Sequence, residues 1–152
     1  AGHYVKMVHN AVEYGLMQAY AEGFELLQAK EEFHLDLEQI TNVWRHGSVV
    51  RSWLLDLAAE ALKRDTKLKS YEAYVDDTGE GRWAVQESVD LAVPAPVISA
   101  SLQARFRSRQ ENPVGPRLLS ALRLQFGGHP VRRRGKTAGR ATSNGRRAQR
   151  KA

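Results

Sequence analysis

Apolar residues recur every three or four positions along most of this chain, and prolines and glycines divide the pattern into segments. Residues 4 to about 30 contain no proline and are predicted as one helix, about 40 Å long at 1.5 Å per residue. Val5, Val8, Val12, Leu16 and Ala19 make an apolar stripe on it, widened by Met7, Ala11, Gly15 and Gln18. So broad an apolar surface predicts a buried central helix. Asp36, with Gln39 three residues on, has the form of a capping box, and the helix it opens is predicted to stop near His46-Gly47. Ser48 is the expected cap of the next helix, which carries Val49, Val50, Trp53, Leu54, Leu57 and Ala58 and ends near Arg64-Asp65.

Asp76-Asp77-Thr78-Gly79-Glu80-Gly81 is a turn by composition, with two glycines available for positive φ. Trp83 to Leu91 reads as helix. Another helix starts at or near Pro96, proline being tolerated in a first turn, and a last one runs from Arg117 to Phe126 and stops at Gly127-Gly128. Few stretches alternate with period two. The predicted fold is all-α and bundle-like, built around one long buried N-terminal helix and without internal repeats. Trp44, Trp53 and Trp83 are expected to pack in the core or at an interface. Arg107 and Arg109 read equally as a solvated face or as substrate or subunit contacts.

Composition narrows the function classes. The 152 residues are 42% hydrophobic, enough for one real core and too few for a second domain of ordinary size. The chain has no cysteine, which excludes disulfides, thiolate zinc sites and cysteine nucleophiles within it. No apolar run reaches the roughly 20 residues of a membrane-spanning helix. The chain opens Ala1-Gly2-His3 without a methionine or a leader, so it is expected to be the back portion of a longer polypeptide. The net charge of +6 is unevenly placed: residues 129 to 152 hold nine Lys/Arg and no acid, leaving 14 basic against 17 acidic groups before them. Residues 132–152 are therefore expected to be a disordered basic tail, solvated rather than bound to nucleic acid.

The candidate chemistry lies on the first helix. Lys6, His9, Asn10 and Glu13 stand at i, i+3, i+4 and i+7 and share one face, with Tyr14 at its edge. On a helix apolar elsewhere, such a row is expected to wall a polar pocket, since burying it unpaired would cost several kcal/mol. A partly desolvated lysine can serve as a general base and a desolvated carboxyl as an acid. Roughly 10 Å separates them along the axis, which suits removing a proton at one substrate atom and returning one at another. Asn10 can orient a hydroxyl or carboxylate. No metal site is expected, because the five histidines lack paired ligand spacing.

The run Gly2-His3-Tyr4-Val5-Lys6-Met7-Val8-His9-Asn10-Ala11-Val12-Glu13-Tyr14-Gly15 resembles the signature that opens the all-helical C-terminal domain of the decarboxylating 6-phosphogluconate dehydrogenases. The likeness continues at Val49-Val50-Arg51-Ser52, Gly79-Glu80-Gly81-Arg82-Trp83, Phe106-Arg107-Ser108-Arg109-Gln110 and Phe126-Gly127-Gly128-His129, so it covers residues 1 to about 131. The short domain and the Gly79-to-Trp83 form are similar to the smaller bacterial branch.

That resemblance implies oxidative decarboxylation of 6-phosphogluconate to ribulose 5-phosphate with NADP or NAD, in the cytoplasm, as a step of the pentose phosphate pathway and gluconate use. It implies Lys6 as base and Glu13 as acid, with His9, Asn10, Tyr14, Arg105, Arg123 and His129 as substrate contacts and Asn10 also facing the cofactor. Arg123 and His129 match a pair that reaches into a neighbouring subunit's site, which implies a homodimer or larger homo-oligomer. The family usually has glycine where Ala11 stands. Long-chain members contact the phosphate through a lysine and a threonine where this chain has Thr78 and Glu80, and an anionic Glu80 is expected to repel phosphate unless rotated away or paired with Arg82. No Gly-x-Gly-x-x-Gly follows a strand, so the dinucleotide-binding domain is expected to be absent from this chain, which alone should not turn over. Two other readings remain at this point. Other β-hydroxyacid dehydrogenases share a lysine and an asparagine spaced as Lys6 and Asn10 are. A non-enzymatic helical module with a nucleic-acid-binding tail would bind in a salt-sensitive way.

Overall fold

The computed structural model describes residues 1–128 and 130–132 and contains α1 (Gly2–Ala29), a short 3-10 turn (Glu31–Phe33), α2 (Leu37–Gly47), α3 (Trp53–Arg64), α4 (Glu80–Asp90), α5 (Pro96–Ser108) and α6 (Val114–Gly127). Among the described residues there is no strand, so the all-α expectation holds. None of the helices is long and apolar enough to cross a membrane. The chain divides into two compact units, Ala1–Gln110 and Glu111–Ala152. His129 and the basic tail beyond Arg132 lie outside the described residues.

Several helix ends follow their local chemistry. The Asp36 carboxylate accepts the Gln39 N–H at 3.1 Å, as a capping box requires. Pro96 occupies the first turn of α5. Gly128 closes α6 at φ 60°, its N–H returning to the Leu124 carbonyl. The expected cap at Ser48 is corrected: Ser48 ends α2 and its hydroxyl takes the Val50 N–H. Ser52 caps α3 instead, accepting the Leu55 N–H at 3.1 Å. Ser52 is held from outside its own segment, because the Tyr20 hydroxyl meets it at 2.9 Å and also donates to the Val50 carbonyl. Val49 and Val50 therefore fall in the connection rather than on a helix.

In the first unit α1 packs on α4, α5 and α2, while α2 pairs with α3 and α4 with α5. Small residues let the first three backbones approach: Ala11 and Gly15 on α1, Gly81 and Ala84 on α4, and Ser101 on α5 are all buried. A Cβ on Gly15 would stand 3.3 Å from Val97 Cγ1. Leu55, Ala59 and Leu62 bury one face of α3. Trp44 is half-buried and stacks on Phe24 at 5.8 Å, whereas Trp53 and Trp83 are exposed.

The expectation of a buried central helix needs correcting. On α1, Ala11, Tyr14 and Gly15 are buried, yet Val5, Val8, Val12 and Leu16 are exposed, Val5 to 66%. The reason is geometric: α4 and α5 cover one face of α1, and the wide stripe turns its remainder outward. The second unit shows a similar feature on α6, where Val114, Leu118, Leu119, Leu122 and Phe126 are exposed.

Candidate active site

The polar row on α1 runs from open to closed. Lys6 and His9 are exposed, Asn10 and Glu13 half-buried, and Tyr14 only 6% exposed. The row is thus a graded edge rather than the wall of an enclosed pocket. At its open end Lys6 Nζ donates to Asn10 Oδ1 at 3.0 Å, and His9 Nδ1 lies 3.0 Å from the same oxygen. With Oδ1 accepting from Lys6, His9 meets the same oxygen as a donor through Nδ1–H. Asn10 therefore fixes both neighbours, and its position one turn after Lys6 makes this a local consequence of helical spacing.

At the closed end Tyr14 is gripped on several sides. Its hydroxyl accepts the Thr78 N–H at 3.3 Å, which leaves its own O–H free to donate. Gly81 lies so close that a Cβ there would be 2.5 Å from Tyr14 Cε2. The Arg105 guanidinium sits 3.6 Å from the ring centroid, within cation–π range. Arg105 Nη1 donates to the Asp76 carbonyl at 2.7 Å, and among the described residues no carboxylate forms an ion pair with it. A phenol O–H and an uncompensated guanidinium side by side make an anion-binding pair.

The 76–81 turn that covers Tyr14 departs from expectation. Gly79 has φ 110° and supplies the left-handed bend, while Gly81 is helical and serves the close approach of the Tyr14 ring instead. Arg82 does not pair with Glu80. It binds Asp77 through two contacts, Nε to Oδ2 at 2.6 Å and Nη2 to Oδ1 at 3.1 Å. Glu80 instead accepts from the Thr78 hydroxyl, a bond that holds its carboxyl below the ordinary range, assisted by Lys6 and Asn10 nearby. Glu80 is thus turned toward the open end of the row. Arg109 is not a solvated face: its side chain is largely buried and its Nη1 meets Asp77 Oδ1 at 2.8 Å.

Two paired arginines hold the Asp77 carboxyl well below its ordinary 3.8, at about 2, with the Arg82 hydrogen bond the largest cause. A lowered folded pKa contributes stability above the unfolded value that disappears as pH falls through the folded one. The urea midpoint of the chain is therefore expected to drop between about pH 4 and pH 2. Asp65, brought to about 2 chiefly by the Ser70 N–H, adds to the same slope. Asp77→Asn should flatten that slope without abolishing it, and an identical acid profile for the variant would refute the assignment.

Of the expected site residues, the structure brings Lys6, His9, Asn10, Glu13, Tyr14 and Arg105 into one region of the first unit. Arg123 is exposed on α6 in the second unit, and His129 lies outside the described residues. Sequence reasoning missed that Asp77 pairs with Arg82 and Arg109. Among the described residues there is no strand, and the Asn10 side-chain oxygen is shared by Lys6 and His9.

The chain is similar to known proteins over most of its length. The family model described as "6-phosphogluconate dehydrogenase, C-terminal domain" matches residues 2–114. The Haloferax volcanii protein "6-phosphogluconate dehydrogenase, NAD(+)-dependent, decarboxylating" is 48% identical over 135 residues, covering 88% of this chain and 45% of that protein. The Lactococcus lactis subsp. cremoris "6-phosphogluconate dehydrogenase, decarboxylating" is 37% identical over 139 residues, covering 84% of this chain and 29% of its own length. A solved Plasmodium falciparum 6-phosphogluconate dehydrogenase, described in apo form and in complex with NADP+ and with 6-phosphogluconate, superposes with a TM-score of 0.74 at 30% identity. That superposition covers 88% of this chain and 30% of the solved one. The chain thus spans less than half the length of these relatives. On the match over residues 2–114, it belongs to the 6-phosphogluconate dehydrogenase C-terminal domain family.

Proposed function

We propose that this chain is the substrate-binding and proton-transferring part of an enzyme that oxidatively decarboxylates 6-phosphogluconate to ribulose 5-phosphate. The observation that carries the reading is the graded row on α1, with Lys6, His9, Asn10 and Glu13 leading to a Tyr14–Arg105 anion pair. A phosphorylated sugar acid has matching parts: hydroxyls for the row and a dianionic end for the pair. When bound, the nicotinamide cofactor supplies a hydride acceptor, and its cradle belongs to a dinucleotide-binding domain beyond residues 1–131. Asn10 is the residue of this chain proposed to face it.

Within this reading Lys6 takes the proton of the reacting hydroxyl, polarises the resulting ketone and returns the proton to its oxygen as carbon dioxide leaves, which gives the enediol. Glu13 returns a proton to the enediol carbon, two helical turns away. His9 and Asn10 hold the neighbouring hydroxyls, while Tyr14 and Arg105 anchor the phosphate. By family resemblance Arg123 and His129 serve a neighbouring copy's phosphate, so the working unit is at least a dimer, and the enzyme is cytoplasmic.

The test uses the protein in which this chain is joined to its dinucleotide-binding domain. 6-Phosphogluconate with NADP or NAD should give reduced nicotinamide, carbon dioxide and ribulose 5-phosphate. Turnover of small hydroxy acids in its place would overturn the substrate assignment. Glu13→Gln should slow protonation of the enediol by about 10²-fold and leave hydride transfer nearly intact, as hydrogen-isotope exchange into product can read separately. Equal loss in both steps would remove Glu13 from its role.

A further inference from the structure

We propose that Asp77 is a positioning residue for the phosphate end of the site, a role that rests on the function proposed above. Its side chain is 2% exposed and lies between two cations, Arg82 from α4 and Arg109 just after α5. Both guanidiniums also lie over the Phe106 ring, at 4.5 Å and 5.2 Å from its centroid. One carboxylate thus ties the entry of α4 to the exit of α5. The residues flanking Asp77 are the ones that touch the anion pair: the Asp76 carbonyl takes Arg105 Nη1, and the Thr78 N–H reaches the Tyr14 hydroxyl. With the backbone on both sides of Asp77 so employed, freeing its side chain releases Tyr14 and Arg105 together.

The clamp also sorts the arginines. Arg82 and Arg109 are engaged by Asp77, and Arg109 lies 3.6 Å from Asp76 as well. Arg105 has no carboxylate partner among the described residues and keeps its charge for a ligand. Glu80, the acidic residue that would oppose a phosphate, is held by Thr78 toward Lys6 and Asn10. Removing the Asp77 charge would leave Arg82 uncompensated, Arg109 with only its longer contact to Asp76, and the turn unfixed; misplacement should outweigh the added charge because phosphate binding depends on fixed donor directions.

The test combines kinetics on the joined protein with NMR on the 152-residue chain. Asp77→Asn should raise the KM for 6-phosphogluconate at least about tenfold with kcat within about twofold, the pattern of lost uniform binding. Asp77→Glu should restore most of the affinity, and Arg109→Met, which keeps the Arg82 arm, should fall between. In the chain alone, Asp77→Asn should speed hydrogen exchange of the Thr78 amide, and inorganic phosphate should shift the Arg105 Nε–H resonance of the parent chain but not of the variant. Unchanged Thr78 exchange, an unchanged KM, or a phosphate-induced shift that persists in the variant would overturn the proposal. A parent protein that fails to turn over 6-phosphogluconate, with the exchange and phosphate responses as expected, would sink the reaction assignment and leave the positioning role standing.

Discussion

Lys6→Met in the complete enzyme should lower kcat at least about 10²-fold, the usual worth of a positioned base. Methionine keeps an unbranched side chain, one atom shorter, but removes the group that can exchange a proton. Because Lys6 is exposed and bonds Asn10 one turn along, the fold should not register the change: exposed i, i+4 contacts contribute only about 0.2–0.5 kcal/mol. The KM should move little, since Tyr14 and Arg105 are the residues proposed to anchor the other end of the substrate. The expected signature is a large loss of turnover at nearly constant thermal stability, read by steady-state kinetics beside a melting curve. Turnover within a few-fold of the parent would strip Lys6 of its role as base.

Gly81→Ala should act at the other end of the row and through packing. In an unstrained helix the exchange would stabilise by about 1 kcal/mol. Here the new Cβ would stand 2.5 Å from Tyr14 Cε2 and 2.8 Å from Cδ2, well inside contact distance. The ring has little freedom to yield, being buried, overlaid by Arg105 and bonded to the Thr78 amide. Overpacking of this kind costs about 1–3 kcal/mol, so the clash should win, giving a lower urea midpoint with an unchanged slope. The same displacement should raise the KM for 6-phosphogluconate. A raised midpoint would mean that the ring moves aside cheaply.

What the sequence made legible was local. Lys6, His9, Asn10 and Glu13 share a face because of helical spacing alone, and Asp36 with Gln39 sits within four residues of one helix start. The choice between Ser48 and Ser52 was not local: both serines precede apolar residues, and Tyr20, 32 positions before Ser52, decides in favour of the second. Arg109 meets Asp77 across 32 positions, a contact that no periodicity encodes. The partner of Arg82 did carry a signal that went unread. Glu80 and Arg82 are two apart at the start of a helix and diverge, whereas the bend at Gly79 returns Asp77 to Arg82. The apolar stripe of α1 was visible, but periodicity does not say which chain covers it.

The 28-residue α1 has no proline and no break between Lys6 and Glu13. The two groups proposed to handle protons are therefore set apart by helix pitch, a stiff interval that loop movement cannot tune. On the proposed function such a rod would work as a calliper: a sugar acid one carbon shorter or longer would still reach one jaw while missing the other. Discrimination by carbon-chain length would then be inherited from backbone hydrogen bonding itself, without any dedicated gatekeeping side chain.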